Sequence, residues 1–457
     1  MAKDLLSVFG PNTDTDWLNK ITSDLKGKTL ESLYWKSEIG PINPVIFNSE
    51  EVTSDIFREK ESNSWNIRQR FDASVNGANE KILSALKGGV NSIEICNLSS
   101  KNINAIFDEV MLDIIDVYID INANEPKTII DTFHQYCTKK NIDTNNLKGG
   151  FIYDPIGNVA LSGNWLKDQN NDLSAISEVL LAASNFNAFS ILTINAATYC
   201  NGGANVDTQI AFALAHANEY LDLFKDDLIL LEKIIQKTEF IFGVGTSYFI
   251  EIAKLRAFRS LWSTIISEYT SIKDIETKIH AINANLYYSN KDIYNNLLRA
   301  TTSAMSAVLA GCDSLSILPF NHNTSDNNDF GQRISKNIQL LLQEESNLNQ
   351  VKDSSKGSYY VEKLISIIKR KSWDMFLSIE KTGGFITALK NGDIQSQINK
   401  ELEKKVNDLK EDKRTMIGVN KFINQNDDCP RVGELKYRSE NPTIEPIPQM
   451  RLSAIYE

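Results

Sequence analysis

The chain has 457 residues, a formal net charge of −11 and 42% apolar side chains, the composition of a soluble globular protein. No stretch approaches the roughly eighteen uncharged apolar residues of a membrane span, and Met1-Ala-Lys-Asp-Leu-Leu-Ser-Val-Phe lacks a signal-peptide core. The expectation is a cytoplasmic protein that binds neither membrane nor nucleic acid, since its lysines are dispersed and acids prevail. Five scattered cysteines (Cys96, Cys137, Cys200, Cys312, Cys429) suit reduced thiols rather than a disulfide frame.

Residues 1–75 read as an N-terminal arm, with a helix over 16–25 and three tryptophans (Trp17, Trp35, Trp65) that need a surface to pack on. Residues 76–393 alternate short β-rich runs with helical patterns. Strands are expected at 92–96, 116–122, 150–154, 190–194, 240–244, 279–283 and 315–318. Helices follow at 103–114, 127–136, 173–183, 205–224, 248–266, 293–309 and 330–343. An eighth short strand is placed near 350–353. Evenly spaced βα units without a glycine-rich first turn predict an α/β fold, a (β/α)8 TIM-type barrel rather than a doubly wound sheet. Its axis should be filled with side chains, as ordinary barrels are. Residues 394–457 form a charged helix, whose Lys404, Lys405, Lys410, Lys413 and Arg414 read as a solvated face, and an irregular strap. Pro430, Pro442, Pro446 and Pro448 stiffen that strap.

Several residues invite a chemical reading, and each has a plainer one that the pattern favours. Cys200 has no histidine nearby in sequence and reads as a buried thiol. His134 and Cys137 share a helical face, but two ligands do not make a metal site. His216 flanks the apolar stripe of its helix, and His280 lies in a strand run where it could line the barrel axis. Gly243-Val-Gly245 reads as a strand-end turn, and Glu344-Glu345 as solvated groups. Lys254, Arg256 and Arg259 are expected in ion pairs among the outer helices.

Longer words carry a family resemblance. Trp65-Asn-Ile-Arg-Gln69, Asp154-Pro-Ile-Gly157 and Phe249-Ile-Glu-Ile-Ala-Lys-Leu-Arg-Ala-Phe-Arg-Ser-Leu-Trp262 resemble segments of the methylmalonyl-CoA mutase family. Asn295-Asn-Leu-Leu-Arg-Ala-Thr-Thr302 and Leu318-Pro-Phe320 are similar to its small (beta) subunit, and Arg333-Ile-Ser-Lys-Asn-Ile-Gln-Leu-Leu-Leu-Gln-Glu-Glu-Ser346 and Gly357-Ser-Tyr-Tyr-Val-Glu362 follow the family's order. The resemblance implies a barrel paired with a homologous large subunit in a heterodimer. It also implies the adenosylcobalamin-dependent interconversion of methylmalonyl-CoA and succinyl-CoA, in which the cofactor supplies the radical.

Against that family's catalytic barrels the chain departs in three places. The position after Arg-Gln that carries a tyrosine is Arg70, and six positions before Ala204 an acid/base histidine is replaced by Thr198. None of the four histidines (His134, His216, His280, His322) stands in an Asp-x-His-x-x-Gly cobalamin motif, so no flavodoxin-like cobalamin domain is expected. Asp353-Ser-Ser-Lys-Gly-Ser358 also differs from the family's Asp-Pro-x-Gly-Gly-Ser. The expected role is a small, non-catalytic subunit without metal, whose large partner holds acyl-CoA and adenosylcobalamin. The alternatives are a stand-alone mutase barrel that borrows a separate cobalamin-binding subunit, and a regulatory acyl-CoA-binding module.

Overall fold

The computed structural model describes residues 13–44, 62–122, 125–272, 275–324, 329–427 and 441–457. Its centre is one sheet of parallel strands closed on itself. In chain order these are β1 (Asn66–Asp72), β2 (Ser92–Cys96), β3 (Asp116–Asp120) and β4 (Lys148–Ile152). They continue as β5 (Ala188–Ser190 and then Leu192–Asn195), β6 (Thr238–Val244), β7 (Lys278–Asn283) and β8 (Ser314–Ser316). The two pieces of β5 are one course interrupted at Ile191: the first pairs with β4 and the second with β6. At the break the Ile191 and Leu192 N–H groups both donate to the Lys237 carbonyl (2.7 and 3.2 Å), as in a bulge that re-aims a strand. β8 returns to β1 through Ser314↔Asn66 and Leu315↔Ile67, so eight staves make a nearly closed barrel whose seam lies between the two pieces of β5.

The strands form because outward positions are apolar and inward ones polar. Ile67, Phe71, Ile93, Ile95, Val117, Ile119, Phe151, Phe240, Phe242, Ile279 and Leu315 are all buried in the main core. The period-2 alternation sends the intervening Arg68, Ser92, Tyr118, Glu239, His280 and Ser314 to the axis. Outside, Phe133, Phe151, Phe186 and Phe189 gather with ring centroids 5.0 to 6.4 Å apart. Each such ring contributes on the order of 2 kcal/mol by its burial.

The expected barrel is present, but its eighth stave is not near residues 350–353, which form a turn. It is β1, within the segment assigned to the arm. Asn66-Ile-Arg-Gln-Arg-Phe-Asp hides its strand character because its inward positions carry arginines instead of apolar groups. The helix expected over 103–114 is two short turns, Ile103–Ile106 and Leu112–Ile114. Of the three tryptophans only Trp65 is buried; Trp17 and Trp35 are 44% and 38% exposed.

The strap expectation fits where it can be followed, and residues 428–440, with Cys429 and Pro430, lie outside the described residues. The charged helix, Asp393–Lys410, is not solvated throughout. Lys405 is buried, donates to the Gly203 carbonyl (2.9 Å) and pairs with Glu38 of the arm (3.4 Å), which pins the two ends of the chain to each other. Among the described residues, no helix is long and apolar enough to cross a membrane.

An acidic knot on the outer layer gives a pH test. Glu380, on helix Tyr359–Lys381, accepts from Asn218 Nδ2 (2.9 Å), while its Oε1 is buried without a hydrogen-bond partner. Burial, then Glu219 and Asp222, push its carboxyl up to about 7 from 4.5. The folded state therefore holds this proton more tightly than the unfolded chain, and stability falls as pH rises between those two values. Glu380→Gln is expected to reduce the loss of Tm between about pH 5 and pH 8, as read by thermal unfolding of both proteins.

Candidate functional site

The axis at mid-height is occupied by one ion pair. Arg68 from β1 reaches across to Glu239 on β6 and forks onto both carboxylate oxygens (Nη2–Oε1 2.6 Å, Nη1–Oε2 3.1 Å), with neither side chain exposed. Its guanidinium lies 3.3 Å from the ring centroid of Tyr118 on β3, a cation–π contact that replaces lost hydration. His280 donates to or accepts from Ser314 Oγ (2.8 Å) on the same wall. Burial, then Arg68, hold its imidazole well below the ordinary value, so it is neutral. The expectation of a filled axis is met, although by charged and aromatic groups instead of aliphatic ones.

One layer nearer the strand C-termini stands Arg70. Nη1 lies 3.2 Å from Glu94 on β2 and Nη2 lies 3.2 Å from Asp120 on β3. A guanidinium so anchored has no proton to exchange at ordinary pH and no lone pair to offer. Thr198 is buried on the short helix Ala197–Gly202 that follows β5. The strap crosses this helix: Gln449 Nε2 donates to the Thr198 carbonyl (3.0 Å) and the Met450 N–H to that of Asn201 (3.4 Å). Further along, Ser453 Oγ donates to the Tyr288 carbonyl (2.8 Å), and Arg451 pairs with Glu457 (2.6 Å). The strap therefore lies over the ends of β5 and β7, the face where barrels of this type place their chemistry.

Asp154, in the turn after β4, organises the floor beneath Thr198. Its Oδ1 accepts from the Gly157 N–H (2.8 Å) and Tyr220 Oη (2.8 Å) and lies 2.9 Å from His216 Nε2; its Oδ2 accepts from the Asn195 N–H (2.9 Å). His216 Nδ1 meets Tyr199 Oη at 2.8 Å. Burial opposes ionisation of Asp154, but His216 and these donors outweigh it and hold the carboxyl below its usual range. Gly157 is required here, because a Cβ would fall 2.0 Å from Asp154 Oδ2. His216 is thus the centre of a sealed network rather than a flanking group; the helical stripe gave no sign of it, because its partners come from other elements. Its full burial leaves it no contact with a substrate.

The plainer readings of the remaining residues fit their places. Lys254, Arg256 and Arg259 pair with Glu251, Glu362 and Asp313. Burial pushes the Cys200 thiol up to about 12, too high for a nucleophile. Glu344 and Glu345 are exposed, and the Gly245 N–H, at the end of β6, donates to Glu251. Among the described residues there is no group of three or more His, Cys, Asp or Glu that could hold a metal. His322 lies in the turn after β8 and is lowered by burial.

The axial pair is open to a direct test. Arg68→Met leaves Glu239 buried and unanswered and is expected to cost about 3–5 kcal/mol. Changing both to methionine removes both charges and should recover most of that loss, as measured by denaturant midpoints of the two variants. Equal damage in single and double variants would mean that packing, and not charge, sets the axis.

Comparison with known proteins identifies the frame in which this mouth sits. A family model described as methylmalonyl-CoA mutase matches residues 70–452. A methylmalonyl-CoA mutase small subunit of Porphyromonas gingivalis is 32% identical over 455 residues, covering 93% of this chain and 72% of that protein. The small subunit of Streptomyces virginiae is 28% identical, covering 78% of this chain and 58% of its own length. A large subunit of Propionibacterium freudenreichii subsp. shermanii is 26% identical over 62% of this chain and 39% of its own. The chain therefore spans between 39% and 72% of the length of these relatives. On the extent of these matches, the chain belongs to the methylmalonyl-CoA mutase family.

Proposed function

We propose that this chain is the small subunit of a heterodimeric methylmalonyl-CoA mutase and contributes no acid or base of its own to the isomerisation. The observation that carries the reading is the state of the barrel mouth. Arg70, tied to Glu94 and Asp120, stands where a neutral phenol would guide the reacting centre. Thr198 stands where the resemblance expects an imidazole, and an aliphatic hydroxyl is too weak an acid for that work. The axis at mid-height is occupied by Arg68, Glu239 and Tyr118 in contact, which speaks against a regulatory acyl-CoA module.

On this reading the large subunit holds the acyl-CoA and the adenosylcobalamin, whose homolysis supplies the radical when bound. The small subunit supplies a rigid surface. Support for an assembly comes from apolar groups turned outward on the arm: Trp17 and Leu18 on a helix with no buried residue, and Leu33 and Trp35 after it. A cytoplasmic location suits the soluble composition.

The test is co-expression with a homologous large subunit, followed by size-exclusion chromatography and a mutase assay. The expected outcome is a one-to-one complex that turns over, while the isolated chain with added adenosylcobalamin gives no product above background. Turnover by the isolated chain would sink the proposal, as would turnover restored only by adding a separate cobalamin-binding protein.

A further inference from the structure

The outer layer opens on one side of β1. Helices Ala78–Lys87 and Asp329–Glu344 flank a cleft of about 590 Å³ that runs from Arg70 outward between them. Its floor is apolar, formed by Phe71, Val75, Ala78 and Ala85, and its walls carry Lys81, Arg333 and Lys336. In a chain of net charge −11 this is an unusual gathering: four cations line it, counting Arg70, against the acids Asp72, Glu80 and Asp329. Asp72 is turned into its own loop, where its Oδ1 accepts from the Ser74 N–H (2.8 Å) and Oγ (2.6 Å).

Lys81, Arg333 and Lys336 form no ion pair among the described residues, unlike Lys254, Arg256 and Arg259 on the opposite side of the barrel. Lys336 reaches over Gly88, the C-terminal cap of helix Ala78–Lys87, where a Cβ would fall 2.0 Å from its Nζ. Burial, then the neighbouring Arg333, pull the Lys336 ammonium below its ordinary value, a crowding of like charges that an anion would relieve. Helix Asp329–Glu344 faces the cleft with Asp329, Gln332, Arg333 and Lys336 of its first half, and helix Ala78–Lys87 with residues from both of its halves.

We propose that this lateral cleft binds a phosphorylated small molecule, with its phosphate held by Lys81, Arg333 and Lys336 and its organic body on the Phe71–Ala85 floor. The volume lies within the range of sites for compact organic ligands, about 300–1,000 Å³. The proposal does not depend on the mutase reading, because the cleft lies outside the barrel axis and uses none of its residues except the rim of Arg70.

Isothermal titration calorimetry of the full chain at low ionic strength, with inorganic pyrophosphate and with ADP as probes, decides it. Both probes should bind, ADP more tightly, and Arg333→Gln/Lys336→Gln should weaken both by about tenfold or more while melting like the parent. Lys225→Gln, on an exposed lysine after helix Val206–Leu223 and away from the cleft, should change neither. Absence of heat with both probes overturns the site, as does binding that the double variant leaves intact. Equal affinity for the two probes overturns the organic-body assignment and leaves a simple phosphate site.

Discussion

The barrel depends on the Arg68–Glu239 pair that spans its axis. A guanidinium and a carboxylate taken out of water cost several kcal/mol each, and only a two-point geometry with further partners offsets that cost. Here both conditions are met, since the fork closes at 2.6 and 3.1 Å and the ring of Tyr118 covers the guanidinium. The pair holds β1 against β6 across the diameter, which neighbouring-strand hydrogen bonds cannot do. It also fills the middle of the bore with charged groups that answer each other.

The same constraint recurs outward. Several buried charges have an answering group from a distant part of the sequence, Arg256 with Glu362 and Lys405 with Glu38, and the half-exposed Arg70 is tied to Glu94 and Asp120. Asp154 gathers donors from the ends of β4 and β5 and from helix Val206–Leu223, and so fixes the floor under Thr198. With the strap laid across the short helix above, the mouth is a packed and bonded surface.

Much of the architecture was legible along the chain. Strands with apolar outward faces announced themselves by alternation, and the long helices by their stripes, within a few residues of their observed ends. β1 escaped because Arg68 and Arg70 occupy the positions that an ordinary barrel gives to aliphatics, so its polar spelling suggested a linker. Lys405 was read as solvated because a helix seen alone does not reveal the arm that covers it. His216 was underrated for the same reason: Asp154 and Tyr199 lie 62 and 17 positions away in sequence, and only the fold brings them to its ring.

Sequence by itself determined the fold class, the family and the identity of the side chains at the two altered positions, because these follow from local periodicity and from words of fixed spacing. Tertiary structure alone decided what those side chains do. It showed that Arg70 is bound to two acids, that Thr198 lies under the strap, and that Lys81, Arg333 and Lys336, with no ion pair among the described residues, share a cleft between two helices. The physical reason is that charge pairing and enclosure depend on distances through space between residues far apart in the chain, and a linear pattern carries no record of those distances.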